Sequence, residues 1–145
     1  MKKILVALIA AAMLFVVTGT PKIFIGTERA TVAVVDATEG LPLTIEFVHS
    51  VQRTPVIEEL NFHAGEFVLR RTIYQSQGVG LPFDAADGNF RREGDKFIMD
   101  DMNRPLKNLE LRTGKGTRLT ITVDGKIFAL YEKFPVGTKI FVRTF

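Results

Sequence analysis

The chain has 145 residues, 19 Lys and Arg against 16 Asp and Glu for a net charge of +3, and no cysteine. The absence of cysteine excludes a disulfide framework, thiolate chemistry and lipid attachment through a leader cysteine. Because Lys2 and Lys3 belong to the N-terminal segment, the rest is nearly neutral, with no concentrated basic face of the kind nucleic acid requires.

Two lysines are followed by an unbroken apolar run from Ile4 to Val17, the pattern of a secretion signal's charged and apolar regions. The run falls short of the ~20 residues that a straight helix needs to cross a bilayer. No Ala-x-Ala site follows it; Thr18 and Thr20 precede Pro21, and threonine fits a cleavage site poorly. Residues 1–25 are therefore expected to be a signal peptide or an N-terminal membrane anchor, its apolar segment extended through Thr18 to Ile25, with Lys22 reaching toward headgroups. On this reading residues 4–25 contact the cytoplasmic membrane. Residues 26–145 form a single domain on its periplasmic or extracytoplasmic face, held there by the N-terminal segment.

Beyond the leader the helical period disappears, and short alternating runs are bounded by Gly, Pro, Asp and Asn. Strands are expected at Thr31 to Val35, Leu43 to His49, Val56 to His63, Phe67 to Gln75, Lys96 to Met99, Leu109 to Leu111, Thr117 to Val123, Lys126 to Leu130 and Lys139 to Arg143. About nine short strands at this spacing predict an all-β fold, a small antiparallel β-sandwich or barrel after an N-terminal apolar helix. The clearest local signal is a hairpin in which Leu119 to Val123 returns through Asp124-Gly125 into Lys126 to Leu130. Gln77 to Gly94, glycine-rich at its start, reads as a long loop lying against the sheet.

Strand parity selects one polar cluster. A hairpin centred on Arg53 and Thr54 opposes His49 to Glu58, and a second turn at Ala64-Gly65 opposes Glu58 to Arg71. This places a histidine, a carboxylate and a guanidinium in a row on an otherwise hydrophobic face. A carboxylate there needs a partner, because burying it alone costs several kcal/mol. The row reads either as an internal ion pair or as the lining of a cleft closed by Gly78 to Pro82, where Arg71 and His49 meet an anionic group or a partner's carboxylate.

Other chemistries have less support. A metal site from His49, Glu58 and His63 conflicts with parity, since His63 falls on the opposite face of its strand. Ser50 beside His49 points away from it, and no Gly-x-Ser-x-Gly elbow occurs. Asp84, Asp87, Asp100 and Asp101 read as solvated loop charges. No cofactor and no catalytic residue is expected, and a hydrolase using Glu58 and His49 is the remaining enzymatic alternative.

Phe47-Val-His-Ser-Val51, followed by Thr54-Pro55, Glu58 and then Gly78-x-Gly-Leu-Pro82, resembles the signature of a bacterial domain-of-unknown-function family, number eighteen-fifty, from about Val32 to the C-terminus. The resemblance implies a small exported or membrane-anchored companion of tripartite ATP-independent periplasmic (TRAP) transporters, especially those with a TAXI-type solute receptor. It carries no activity. His49, Ser50, Thr54, Pro55, Glu58, Gly78, Gly80, Leu81 and Pro82 transfer as signature positions only, and Arg71 joins them from the parity argument. The expected function is that of a non-enzymatic accessory subunit contacting the transporter's membrane component or solute receptor. The alternative is a stand-alone β-domain that binds a small anionic ligand.

Overall fold

The computed structural model describes residues 19–76 and 80–145. Twelve strands are found among them: β1 (Lys22–Gly26), β2 (Thr31–Asp36), β3 (Pro42–Val48), β4 (Pro55–His63), β5 (Glu66–Tyr74), β6 (Asn89–Glu93), β7 (Lys96–Asp100), β8 (Arg104–Leu106), β9 (Leu109–Arg112), β10 (Thr120–Val123), β11 (Lys126–Ala129) and β12 (Lys139–Thr144). The one described helix, α1, is a single turn from Leu130 to Lys133.

The strands form two open antiparallel sheets. One has four strands in the order β2-β1-β12-β9; the other runs β11-β10-β3-β4-β5-β7-β6, with β8 paired to the remaining part of the β5 edge. Neither sheet closes on itself, so the barrel alternative is corrected. The main core takes residues from both sheets: Ile23 and Ile25 of β1 and Ile140 and Val142 of β12, with Leu43, Ile45, Leu60, Phe62, Phe67 and Ile121 of the larger sheet. Alternation along each strand supplies these residues, so one face of each sheet is removed from water. A smaller cluster, Val56, Tyr74 and Leu81 with Phe47 and Phe97 packed against it, occupies the end of the larger sheet.

All nine expected strands are present, with edge differences that have local causes. Thr117 to Leu119 is not part of β10, since Arg118 has φ 50° and breaks the extended backbone. Leu130 opens α1 instead of ending β11. Three further strands were not expected. Lys22–Gly26, read as the end of the apolar leader, is β1, with Ile23 and Ile25 fully buried. Any apolar segment through residue 25 is therefore corrected at that end: these residues lie inside the domain, paired to β2 and β12. β6 is too polar to read as a strand, and β8 has three residues including Pro105. The expected apolar helix of Ile4 to Val17 lies outside the described residues. Among those that are described, no helix is long and apolar enough to cross a membrane.

The hairpin at Asp124-Gly125 forms with both turn residues at positive φ, 50° and 68°, and Val123 paired to Lys126. The turn at Ala64-Gly65 opposes Phe62 to Phe67 and Leu60 to Leu69, as expected.

Candidate functional site

The expected row of His49, Glu58 and Arg71 does not form, for two reasons of register. The first is the β3–β4 connection. His49 Nδ1 accepts the N–H groups of Val51 and Gln52 at 3.3 and 3.2 Å, and the Arg53 N–H donates to the His49 carbonyl at 2.9 Å. His49 also donates its own N–H to the Thr54 carbonyl at 2.9 Å, which centres the turn two residues earlier than Arg53-Thr54. Glu58 consequently faces Ile45, and Phe47 faces Val56. At ~3.3 Å per residue, His49 lies roughly 13 Å along the strand from that pair.

The second is a β-bulge. Pairing is regular through Leu60 and Leu69, then shifts so that Glu59 faces Arg71 and Glu58 faces Thr72. Arg70 is the extra residue. One inserted residue exchanges the faces of everything beyond it, so Thr72 and Tyr74 turn inward, each 1% exposed, and Arg71 turns outward.

The outward Arg71 enters an ion-pair ladder across four strands. Its guanidinium bonds Asp100 of β7 and reaches Glu59 of β4 at 3.3 Å. Arg91 of β6 donates from Nε to the other oxygen of Asp100 at 2.6 Å and also pairs with Glu93. The hydrogen bonds from Arg91 and then Arg71 hold the Asp100 carboxyl below its ordinary range against the opposing effect of burial. Asp100, read from sequence as a solvated loop charge, is thus the centre of this network. Its place at the end of Lys-Phe-Ile-Met-Asp, sharing a face with Ile98, is the signal that would have identified it.

Glu58 is left on the inner face. Its row, followed across the sheet through paired positions, reads Phe128, Ile121, Ile45, Glu58, Thr72, Met99 and Phe90. Along β4 it separates Leu60, in the main core, from Val56, in the smaller cluster. Among the described residues no hydrogen bond or ion pair engages its carboxylate. Burial pushes its pKa up, and the positive charge of Arg104 opposes that rise. The cation facing Glu58 is therefore Arg104 of β8, which sits opposite Leu69, and not Arg71.

The remaining signature residues gather near this end of the sheet. Pro55 opens β4 opposite Val48, Ser50 is exposed in the turn, and Thr54 Oγ1 is buried with no hydrogen-bond partner among the described residues. Leu81, 8% exposed, packs with Val56 and Tyr74, while the Tyr74 hydroxyl donates to the Pro82 carbonyl. Gly80 has φ 85°, a conformation that costs glycine little, where the chain turns into this closure. The two described parts of the signature are thus joined through the Val56, Tyr74 and Leu81 cluster. Gly78 lies outside the described residues. Two side chains that parity could not select flank these segments, Val51 at the turn tip and Phe83 after Pro82, 74% and 72% exposed.

The family model described as "Domain of unknown function (DUF1850)" matches residues 43–130, more than half of the chain. The chain belongs to this family. The DUF1850 match runs from β3 to the start of α1, so it contains the whole larger sheet and every signature position, while β1, β2 and β12 lie outside it. Comparison with curated proteins and with solved structures gave no match.

His63 lies apart from Glu58, at the other end of β4, where it pairs with Glu39. Among the described residues no group of three or more His, Asp or Glu side chains is placed to hold a metal ion.

Proposed function

We propose that this DUF1850 chain is a non-enzymatic, extracytoplasmic accessory subunit of a TRAP-type transporter of the TAXI class. It contacts the membrane component or the solute receptor with the end of the larger sheet. The supporting observation is that Phe47 and Val56, which flank the His49 to Pro55 turn in sequence, share one apolar cluster with Leu81 of the Gly80 to Pro82 closure, while Val51 at the turn tip and Phe83 after Pro82 are exposed. Exposed apolar side chains on a polar rim are what a protein partner buries. Glu58, which among the described residues feels only the field of Arg104 and has no ion pair, is the carboxylate that a partner's cation would complete.

The anionic-ligand alternative loses its main support, because the guanidinium meant to hold the anion, Arg71, is engaged by Asp100 and Glu59 on the other face. A hydrolase using Glu58 and His49 lacks the proximity that proton transfer demands.

The test is co-purification of the full chain from membranes. Wild type is expected to retain a TRAP membrane subunit or its solute receptor, and the Val51→Asp, Phe83→Asp double variant to lose it while keeping the wild-type circular dichroism spectrum. Recovery without any transporter subunit, together with solute uptake unaffected by deletion of the protein, overturns the proposal.

A further inference from the structure

The chain enters the domain at one end of the larger sheet, and the signature residues lie at the other. The Pro21 carbonyl accepts the Ala37 N–H at 2.7 Å, beside the β2–β3 connection, where the Leu41 N–H donates to the Thr38 carbonyl at 3.0 Å in a tight turn and Pro42 opens β3. The Asp124-Gly125 turn belongs to this same end, because Val123 is opposite Leu43. From Pro42 to Val48, β3 covers about 20 Å before the His49 to Pro55 turn begins.

The entry end exposes apolar side chains. Lys22 exchanges backbone hydrogen bonds with Phe145 at 2.8 and 3.0 Å, and Phe145 is 71% exposed. Lys22 also lines a concavity with Val34, Asp36, Asp124 and Lys126. Val34 is 50% exposed there, and Ile127, the residue after Lys126, is 72% exposed. The charges of this end are matched, Lys22 by Asp36 and Lys126 by Asp124 at 3.6 Å. What it offers a partner is therefore apolar surface around two neutralised ion pairs.

We infer that this end of the domain, with Phe145, Val34 and Ile127, rests on the surface of a lipid bilayer. The inference depends on the leader being retained as an anchor, and the length of chain before β1 then selects the end. With the apolar run Ile4 to Val17 held in the bilayer, Thr18, Gly19 and Thr20 are all that separate it from Pro21, a tether of at most ~14 Å. That is shorter than the roughly 20 Å of β3, so the domain cannot be turned over to set the His49 to Pro55 end on the same membrane. Phe145, Val34 and Ile127 leave water when the entry end meets the headgroups and the upper acyl chains. Because both lysines are already matched, the contact does not depend on anionic lipid, in contrast to a polybasic segment. The partner contact proposed above is then made clear of the lipid.

The chain has no tryptophan, so a single one introduced at an exposed position reports its own surroundings. In the full chain reconstituted into phosphatidylcholine vesicles, Phe145→Trp and Ile127→Trp are expected to emit at shorter wavelength and to lose intensity when the acyl chains carry bromine. Val51→Trp, at the opposite end and 74% exposed in the wild type, is expected to do neither. Added phosphatidylserine or salt is expected to leave all three unchanged. A chain that floats with the vesicles while Phe145→Trp and Ile127→Trp are quenched no more than Val51→Trp overturns the inference and leaves the anchor standing. Quenching that requires phosphatidylserine and disappears in salt also overturns it, since attraction of charge would then be the cause. A chain that does not float with the vesicles overturns the anchor and the inference together.

Discussion

Adjacent residues of β4, Glu58 and Glu59, meet opposite fates on the two faces of one sheet. On the outer face, Glu59 joins a ladder in which Asp100 receives two guanidiniums and each acid has a cation within hydrogen-bonding range. On the inner face, Glu58 sits among Ile45, Thr72, Val56 and Leu60, and among the described residues only the field of Arg104 offsets its desolvation. The ladder is what sheet stability alone favours, since cross-strand pairs of opposite charge support one another. Glu58 is what sheet stability alone would remove. Under the proposed function, this carboxylate, at a position of the expected family signature, is the one a partner's cation would complete.

The largest effect should follow from Asp100→Ala, which strips Arg71 and Arg91 of their shared carboxylate. With both arginines partly solvated, a loss of about 1–2 kcal/mol in urea unfolding is expected. Glu58→Leu should act with the opposite sign, raising stability by about 1 kcal/mol, because an unpaired half-buried carboxylate is replaced by a side chain suited to its row. A destabilised Glu58→Leu would show that the carboxylate is satisfied within the fold and would remove the contrast. Tyr74→Phe deletes the hydroxyl that holds the Pro82 carbonyl. It should cost about 0.5–1 kcal/mol and speed amide exchange around Leu81 more than in the main core.

The smallest effect is in pH dependence, and there the two faces separate by sign. The Glu58 pKa is raised above its ordinary 4.5, so the folded state binds the extra proton, and stability falls as pH climbs from 4.5 through the folded value. The Asp100 pKa is lowered below 3.8, so its contribution is present above 3.8 and disappears as pH falls through the folded value. Glu58→Gln should abolish the first slope and leave the second, as measured by urea unfolding across the acid range.

What could be read from the sequence divides along the same lines. Alternation located every strand with a well-marked period, and turn chemistry at Ala64-Gly65 and Asp124-Gly125 set two hairpin registers correctly. It placed Glu58 on the inner face, which holds. It could not place Arg71, because the bulge at Arg70 leaves no trace in hydrophobic alternation, yet reverses the faces beyond it. Nor could it centre the β3–β4 turn, whose register is fixed by the His49 imidazole accepting two backbone N–H groups, a local bond that competes with strand pairing. β1 was hidden by its composition, since Lys-Ile-Phe-Ile-Gly after an apolar leader reads as more of the same. The Gly80 to Pro82 segment was expected to lie on the sheet, but its anchor, the Tyr74 hydroxyl, shows no pattern of its own.

Strand β12 lies between β1 and β9, pairing Ile23 with Thr144 and Leu109 with Val142. The smaller sheet thus takes an inner strand from a part of the chain far from β1 and β2, while β3, β4 and β5 form a meander of sequential neighbours, the other side of β3 being taken by β10. Contacts between distant residues form late because the entropy of the intervening loop must be lost first. The β3-β4-β5 meander can therefore assemble early, whereas β1 has one side unpaired until β12 is in place. A chain truncated before Lys139 would leave β1 and β9 without their β12 partner and the main core without Ile140 and Val142, so it should be degraded by quality-control proteases.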